Sequence, residues 1–127
     1  MKTTLITGGL GFIGSNICDS LLQKKYTNKC ILLDNFGGYM NPIKDSFIDF
    51  RKQRFSSLKN IIIERCDTSN YKALSSIINK YKPNYIYHTA ALPLAKVSNL
   101  NNEEAKISSV DSTVNIIDAI NLLKNSN

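Results

Sequence analysis

The chain has 127 residues, 43% of them apolar, and a formal net charge of +6 from 16 Lys and Arg against 10 Asp and Glu. That length supports one domain over residues 1–127 with a modest core, and no apolar stretch approaches the ~20 residues that a membrane-spanning helix needs, so no membrane partner is expected. The positive charges are scattered singly, and the densest group, Arg51-Lys52-Gln53-Arg54 beside Phe47, Phe50 and Phe55, reads as a solvated helix face, so no nucleic-acid partner is expected either.

Apolar runs of strand length alternate with segments of helical period along the whole chain, the pattern of successive βαβ units. The first strand is predicted near residues 3–7; the N-terminus lacks the h-region of a signal peptide, and a cytoplasmic location is the expectation. A helix follows near 12–25, with Ile13, Ile17 and Leu21 on one face and Cys18 and Leu22 beside them. The second strand, near 29–34, ends in Asp34, and a helix near 45–56 leads to a third strand near 60–65. A helix near 70–81 carries Leu74, Ile77, Ile78 and Tyr81, and Pro83 marks the turn into a fourth strand near 84–89. The last helix, near 103–125, places Ile107, Val110, Val114 and Ile117 on one stripe, widened by Ile116, Ile120 and Leu123, as a helix covering a sheet requires. Cys18, Cys30 and Cys66 are odd in number and widely spaced, so they read as small buried residues and not as a disulfide framework or zinc site. His88, the one histidine, has no clustered metal-ligating residues near it in sequence, and no metal is expected.

These elements predict a Rossmann-like α/β fold, a parallel sheet of about four strands in the order 3-2-1-4 with helices on both faces. The order reverses between strands one and four, and the crevice at their carboxyl ends is where such a sheet binds a ligand. Two segments land there. The turn Thr7-Gly8-Gly9-Leu10-Gly11-Phe12-Ile13-Gly14 has the makings of a phosphate cradle: Gly8 for a tight turn, Gly11 for close approach of a pyrophosphate, and Gly14 for close helix packing. Asp34 lies about twenty residues beyond the last glycine, where an acid holds the adenosine ribose of a dinucleotide. A carboxylate there favours NAD over NADP, since it would repel a 2′-phosphate, and Arg51 and Arg54 are too far along to serve without a loop folding back.

Thr7 to Gly14, Leu33-Asp34-Asn35, Cys66-Asp67 and His88-Thr89-Ala90-Ala91 together resemble the successive cofactor motifs of the extended short-chain dehydrogenase/reductases, the NAD-dependent nucleotide-sugar epimerases and dehydratases. The likeness is nearest to UDP-glucuronate epimerases, through Asp34 to Pro42 and Ala91 to Ser98, and it covers nearly all of the chain. It implies NAD as cofactor and a nucleotide sugar as substrate, with Gly8, Gly11, Phe12, Ile13, Gly14, Asp34, Asn35, Phe36, Asp67, Thr68, Thr89, Ala90 and Ala91 as cofactor-binding residues. Asp67-Thr68 resembles the pair beside the adenine amino group, although Thr68 or Ser69 could equally cap a helix. His88 occupies a position that is not the proton carrier in the family, and its expected role is packing.

The resemblance stops before the chemistry. The family's proton transfer needs a tyrosine and a lysine four residues later, on one helix face. The residues four after Tyr26, Tyr39, Tyr71, Tyr81, Tyr85 and Tyr87 are Cys30, Ile43, Ser75, Tyr85, Thr89 and Ala91, so no such pair exists here. Against the family helix pattern Asn-Val-x-Gly-Thr-x-Asn, the chain keeps Thr113 and Asn115, with Ser109 in place of the first Asn and Ser112 in place of Gly; Pro93, Leu94, Lys96 and Ser98 stand near the substrate-facing loop. The expectation is therefore an amino-terminal, adenosine-binding half of such an enzyme, without its later strands and substrate domain, inactive alone and with no catalytic residue of its own. A complementing chain or a second copy would dock on the strand-four edge at Tyr85-Ile86-Tyr87. The alternatives are a non-catalytic nucleotide-binding or interaction module and a truncated gene remnant.

Overall fold

The computed structural model describes residues 1–37, 45–92 and 102–125, the side chains of residues 45–48 excepted. Four strands, β1 (Thr3–Thr7), β2 (Lys29–Asp34), β3 (Ile61–Arg65) and β4 (Tyr85–His88), form one sheet in the order β3-β2-β1-β4. Every pairing is parallel, with Leu5 opposite Ile31 and Ile86, and Asp34 opposite Arg65. The predicted order is thus the observed one. The parallel pairing goes with the interleaved helices: a parallel neighbour cannot be reached by a hairpin and needs a crossover.

Both faces of the central strands are covered, which is why β2 carries the continuous apolar run Cys30 to Leu33 and β1 has Leu5 and Ile6 side by side, with no polar-apolar alternation. On one face Ile6, Cys30 and Leu32 pack with Cys18 of α1 (Phe12–Gln23), with Leu10 of the first turn and with Phe55 beyond α2 (Asp45–Gln53). On the other, Leu5, Ile31 and Leu33 pack with Leu74 and Ile78 of α3 (Tyr71–Tyr81) and with Ile116 and Ala119 of α5 (Ser112–Asn125). All three cysteines are buried free thiols. Cys18 and Cys30 meet under α1, and the contact with Cys30, together with burial, pushes the Cys18 thiol up.

The last helix differs from its prediction in two ways. It is built as α4 (Asn102–Ala105), a π-helical segment (Lys106–Asp111) and α5, and the stripe Ile107, Val110, Val114 and Ile117 faces outward, with exposures of 40, 55, 47 and 52%. The buried side is Ser112, Ile116 and Ala119. In the π segment the Ser112 amide donates to the Ile107 carbonyl, five residues back, which offsets the helix face there by about one residue from α-helical spacing. The inward side is then held by polar contacts that an apolar count does not see: Asn115 Nδ2 donates to the carbonyls of Thr68 and Ser69 at 3.0 and 2.9 Å.

The basic run at the end of α2 does more than face solvent. Arg54, just past α2, keeps a side chain 42% exposed, and it also pairs with Asp19 and donates to Ser15 Oγ at 2.8 Å, tying this run to α1. Phe55 is buried while Phe50 is 73% exposed; the Phe47 side chain is outside the described residues, as are Gly38 to Pro42, Pro93, Leu94, Lys96 and Ser98. Among the described residues no helix is long and apolar enough to cross a membrane.

Candidate functional site

The site is built at the carboxyl ends of the strands, where β1 runs into the glycine turn. Gly8 has φ +62°, the left-handed region, and a Cβ there would lie 2.9 Å from the Ala90 amide nitrogen, so the turn after β1 and the turn after β4 are in contact. A Cβ on Gly14 would strike the Gly8 carbonyl, so only glycine lets α1 begin this close to the turn. Gly11 is the N-cap of α1, with no side-chain cap and no acidic residue in the first turn. The leading amides of Phe12, Ile13 and Gly14 sit at the positive end of the helix dipole, an arrangement suited to an anion.

Asp34 closes the site from β2. It is 8% exposed; Oδ2 accepts from the Leu10 amide at 3.0 Å and Oδ1 from the Phe36 amide at 2.9 Å. The carboxylate therefore fixes the glycine turn and the start of the β2–α2 connection at once. Phe36 adopts φ +59°, and the Lys52 ammonium and the Arg65 guanidinium both approach its ring, 4.9 and 5.5 Å from the centroid.

Asp67, just past β3, accepts from the amide and hydroxyl of Ser69 at 2.9 and 2.7 Å and, weakly, from Asn35 Nδ2 at 3.4 Å. Burial works to raise its pKa, but the hydrogen bonds from Ser69 and Asn35 outweigh it and leave the carboxyl below its ordinary value. The cap of α3 is neither Thr68 nor Ser69: Asn70 takes that position, its Oδ1 accepting from the Ala73 amide at 3.1 Å.

Thr89, Ala90 and Ala91 follow β4. The Thr89 and Ala90 amides both donate to Thr7 Oγ1 at 3.2 Å, and Thr89 Oγ1 donates to the Thr7 carbonyl at 2.6 Å. His88 Nδ1 lies 2.7 Å from Thr7 Oγ1, and its Nε2 lies 3.3 Å from Ser112 Oγ, so His88 is a hydrogen-bonded packing residue. Burial lowers its pKa from the ordinary value.

The glycine turn, Asp34, Asn35, Asp67 and the Thr89 turn thus share one edge of the sheet. A cleft of about 570 Å³ adjoins Gly11, Phe12, Ser15, Arg51 and Arg54, on the α2 side of the glycine turn and not between β1 and β4. A second, of about 650 Å³, runs along α1 past Phe12, Ile13, Ile17 and Tyr26 to Tyr87. Sequence reasoning missed Thr7, Ser112 and the bridging of Asn115. Ser112 stood out only as a departure from a glycine pattern, and the sole signal for its role was a hydroxyl on the face that helical spacing left to α5. No cluster of metal-ligating side chains occurs among the described residues.

The model of the family described as GDP-mannose 4,6 dehydratase matches residues 5–127. A probable polysaccharide biosynthesis protein of Bacillus subtilis, EpsC, is 30% identical over 123 residues, which is 95% of this chain and 19% of that protein. Among solved structures, Pen from Bacillus thuringiensis superposes with a TM-score of 0.79 at 25% identity, covering 97% of this chain and 35% of its own. The UDP-glucose 4-epimerase of Thermus thermophilus, solved with NAD, shares the fold with a TM-score of 0.73 at 24% identity, covering 96% of this chain and 34% of its own. The chain therefore spans about a fifth to a third of the length of these relatives.

Proposed function

The chain belongs to the GDP-mannose 4,6 dehydratase family, and on that premise we propose that it binds NAD as the adenosine-holding part of an NAD-dependent enzyme that epimerises or dehydrates a nucleotide sugar. The observation that carries this reading is Asp34, buried against the glycine turn with each oxygen already held by one backbone amide. An ionised carboxylate offers roughly four lone-pair sites, so about two remain for the ribose hydroxyls. The uncapped first turn of α1 would take the pyrophosphate, Asp67 and Thr68 the adenine edge, and the Thr89-Ala90-Ala91 turn the inner ribose. When bound, the nicotinamide supplies a hydride acceptor for a sugar carbon.

No tyrosine in these 127 residues is followed four positions later by lysine, so the proton-transfer pair of the reaction would come from polypeptide outside them. Its seat would be the β4 edge, where Tyr85 and Tyr87 are 47 and 38% exposed and Tyr87 lines the cleft along α1. The test is calorimetric titration of NAD into the purified chain, with Asp34→Ala as control and molar mass from light scattering on the same sample. Micromolar binding that is lost in the variant supports the reading. No binding up to millimolar NAD would overturn it.

A further inference from the structure

The hydrogen bonds around His88 fix which of its nitrogens carries the proton. Thr7 Oγ1 accepts from the amides of Thr89 and Ala90. The Thr89 amide is shared with the Thr7 carbonyl, also at 3.2 Å. A threonine hydroxyl has two acceptor sites and one proton; with both amides on the acceptor side, the proton is directed to His88 Nδ1, 2.7 Å away. Nδ1 is then an acceptor, and the neutral ring bears its hydrogen on Nε2. The far side agrees independently. Ser112 Oγ lies 2.6 Å from the Ser108 carbonyl, which can only accept, so the serine proton is spent there and Ser112 must receive the Nε2–H at 3.3 Å. The result is one directed chain from the Thr89 and Ala90 amides through Thr7, His88 and Ser112 to the π-helical segment.

We propose that His88 is a positioning residue for the cofactor turn: as the neutral Nε2–H imidazole it holds Thr7 Oγ1 where it receives the Thr89 and Ala90 amides, and it ties that turn to the start of α5 through Ser112. This rests on the reading of the turn as part of an NAD site. Protonation breaks the chain at one point. A hydrogen on Nδ1 would meet a Thr7 oxygen that already accepts from both amides, so the Thr89 amide must shift fully onto the Thr7 carbonyl, the Ala90 amide must leave, or the ring must turn away. The ring is hydrogen-bonded to Thr7 from β1 and to Ser112 from α5; burial lowers its pKa, and the Asp111 carboxylate, next to Ser112 in sequence, is paired with Lys106 at 2.8 Å. The ring is therefore poised to be neutral at physiological pH and to release the turn in acid.

The experiment is nitrogen-15 NMR of the His88 ring in the whole 127-residue chain, with the Thr89 and Ala90 amide shifts followed through the same pH titration. The expected result is the Nε2–H tautomer, with both amides moving on the His88 curve and NAD binding about tenfold weaker near pH 5.5 than near pH 7.5. His88→Phe should remove that pH dependence, and Ser112→Ala should shift the tautomer balance while leaving Asp34 untouched. An Nδ1–H ring, or amides indifferent to the His88 titration, would overturn the proposal on the unmodified protein. Absence of NAD binding at both pH values overturns the cofactor reading alone, because the tautomer and amide shifts are read without ligand.

Discussion

The two βα ends of the sheet are built from similarly apolar sequence and are covered very differently. In the β1–α1–β2 unit, Leu5, Ile6, Ile31, Leu32 and Leu33 are all 0% exposed, and the polar groups at the strand ends are held by backbone amides. In the β4–α5 unit, Tyr85 and Tyr87 stand out of an edge strand, and the π-helical segment and α5 together turn Ile107, Val110, Val114 and Ile117 to the outside. Burial on both faces leaves a strand one arrangement, since any slip would expose an entire apolar set. A helix with two apolar stripes has two arrangements, and hydrogen bonds from Ser112 and Asn115 select between them.

Adjacent residues of α5 offer the sharpest way to break this contrast. Ile116→Ala is expected to cost about 2–5 kcal/mol, as for other buried large-to-small changes, whereas Ile117→Ala should stay within about 0.5 kcal/mol; urea unfolding of the pair measures both, and equal costs would mean that the outward stripe is covered in solution. Next in size is Asp34→Ala, which leaves the buried Leu10 amide without an acceptor and should lower stability by about 1–3 kcal/mol before any ligand is considered. Asn115→Ala removes two hydrogen bonds to the β3–α3 connection, with an expected loss of about 1–2 kcal/mol. If Asn115→Ala proves neutral, packing alone sets the orientation of α5.

The pH dependence separates the ends of the sheet in turn. His88 is held below its ordinary value of 6.5 by burial, so the unfolded chain takes up its proton first; this contribution is full above 6.5 and is lost as pH falls below it. Asp67 is held below 3.8, so its contribution is full above that value and disappears as the pH falls through the lower folded value. Unfolding midpoints across this range should show two declines, the first absent in His88→Phe and the second reduced in Ser69→Ala. The smallest effect is expected from Lys106→Ala, whose exposed ion pair with Asp111 should contribute no more than about 0.5 kcal/mol.

The strands, their order, the glycine turn and Asp34 were all legible because each rests on a local signal: an apolar run of strand length, a glycine where a Cβ cannot fit, an acid at the end of a strand. The roles of Arg54, Asn70 and Ser112 were not, because each depends on a neighbour distant in sequence or on a cap choice among several polar residues. Arg54 reads as one of a run of cations until α1 presents Asp19 and Ser15 to it. Asn70 competes with Thr68 and Ser69 for one cap, and Asp67 takes Ser69 out of that competition.

By itself the sequence determined a doubly covered parallel sheet with a tight glycine turn and an acid beside it, because periodicity and glycine placement are constraints that each segment carries alone. The tertiary structure decided which stripe of the last helix faces inward and which hydroxyls flank the two nitrogens of His88. Both depend on donors and acceptors that meet only when β1, β4 and α5 are assembled, and a buried polar group left without its partner costs more than an apolar side chain left in water.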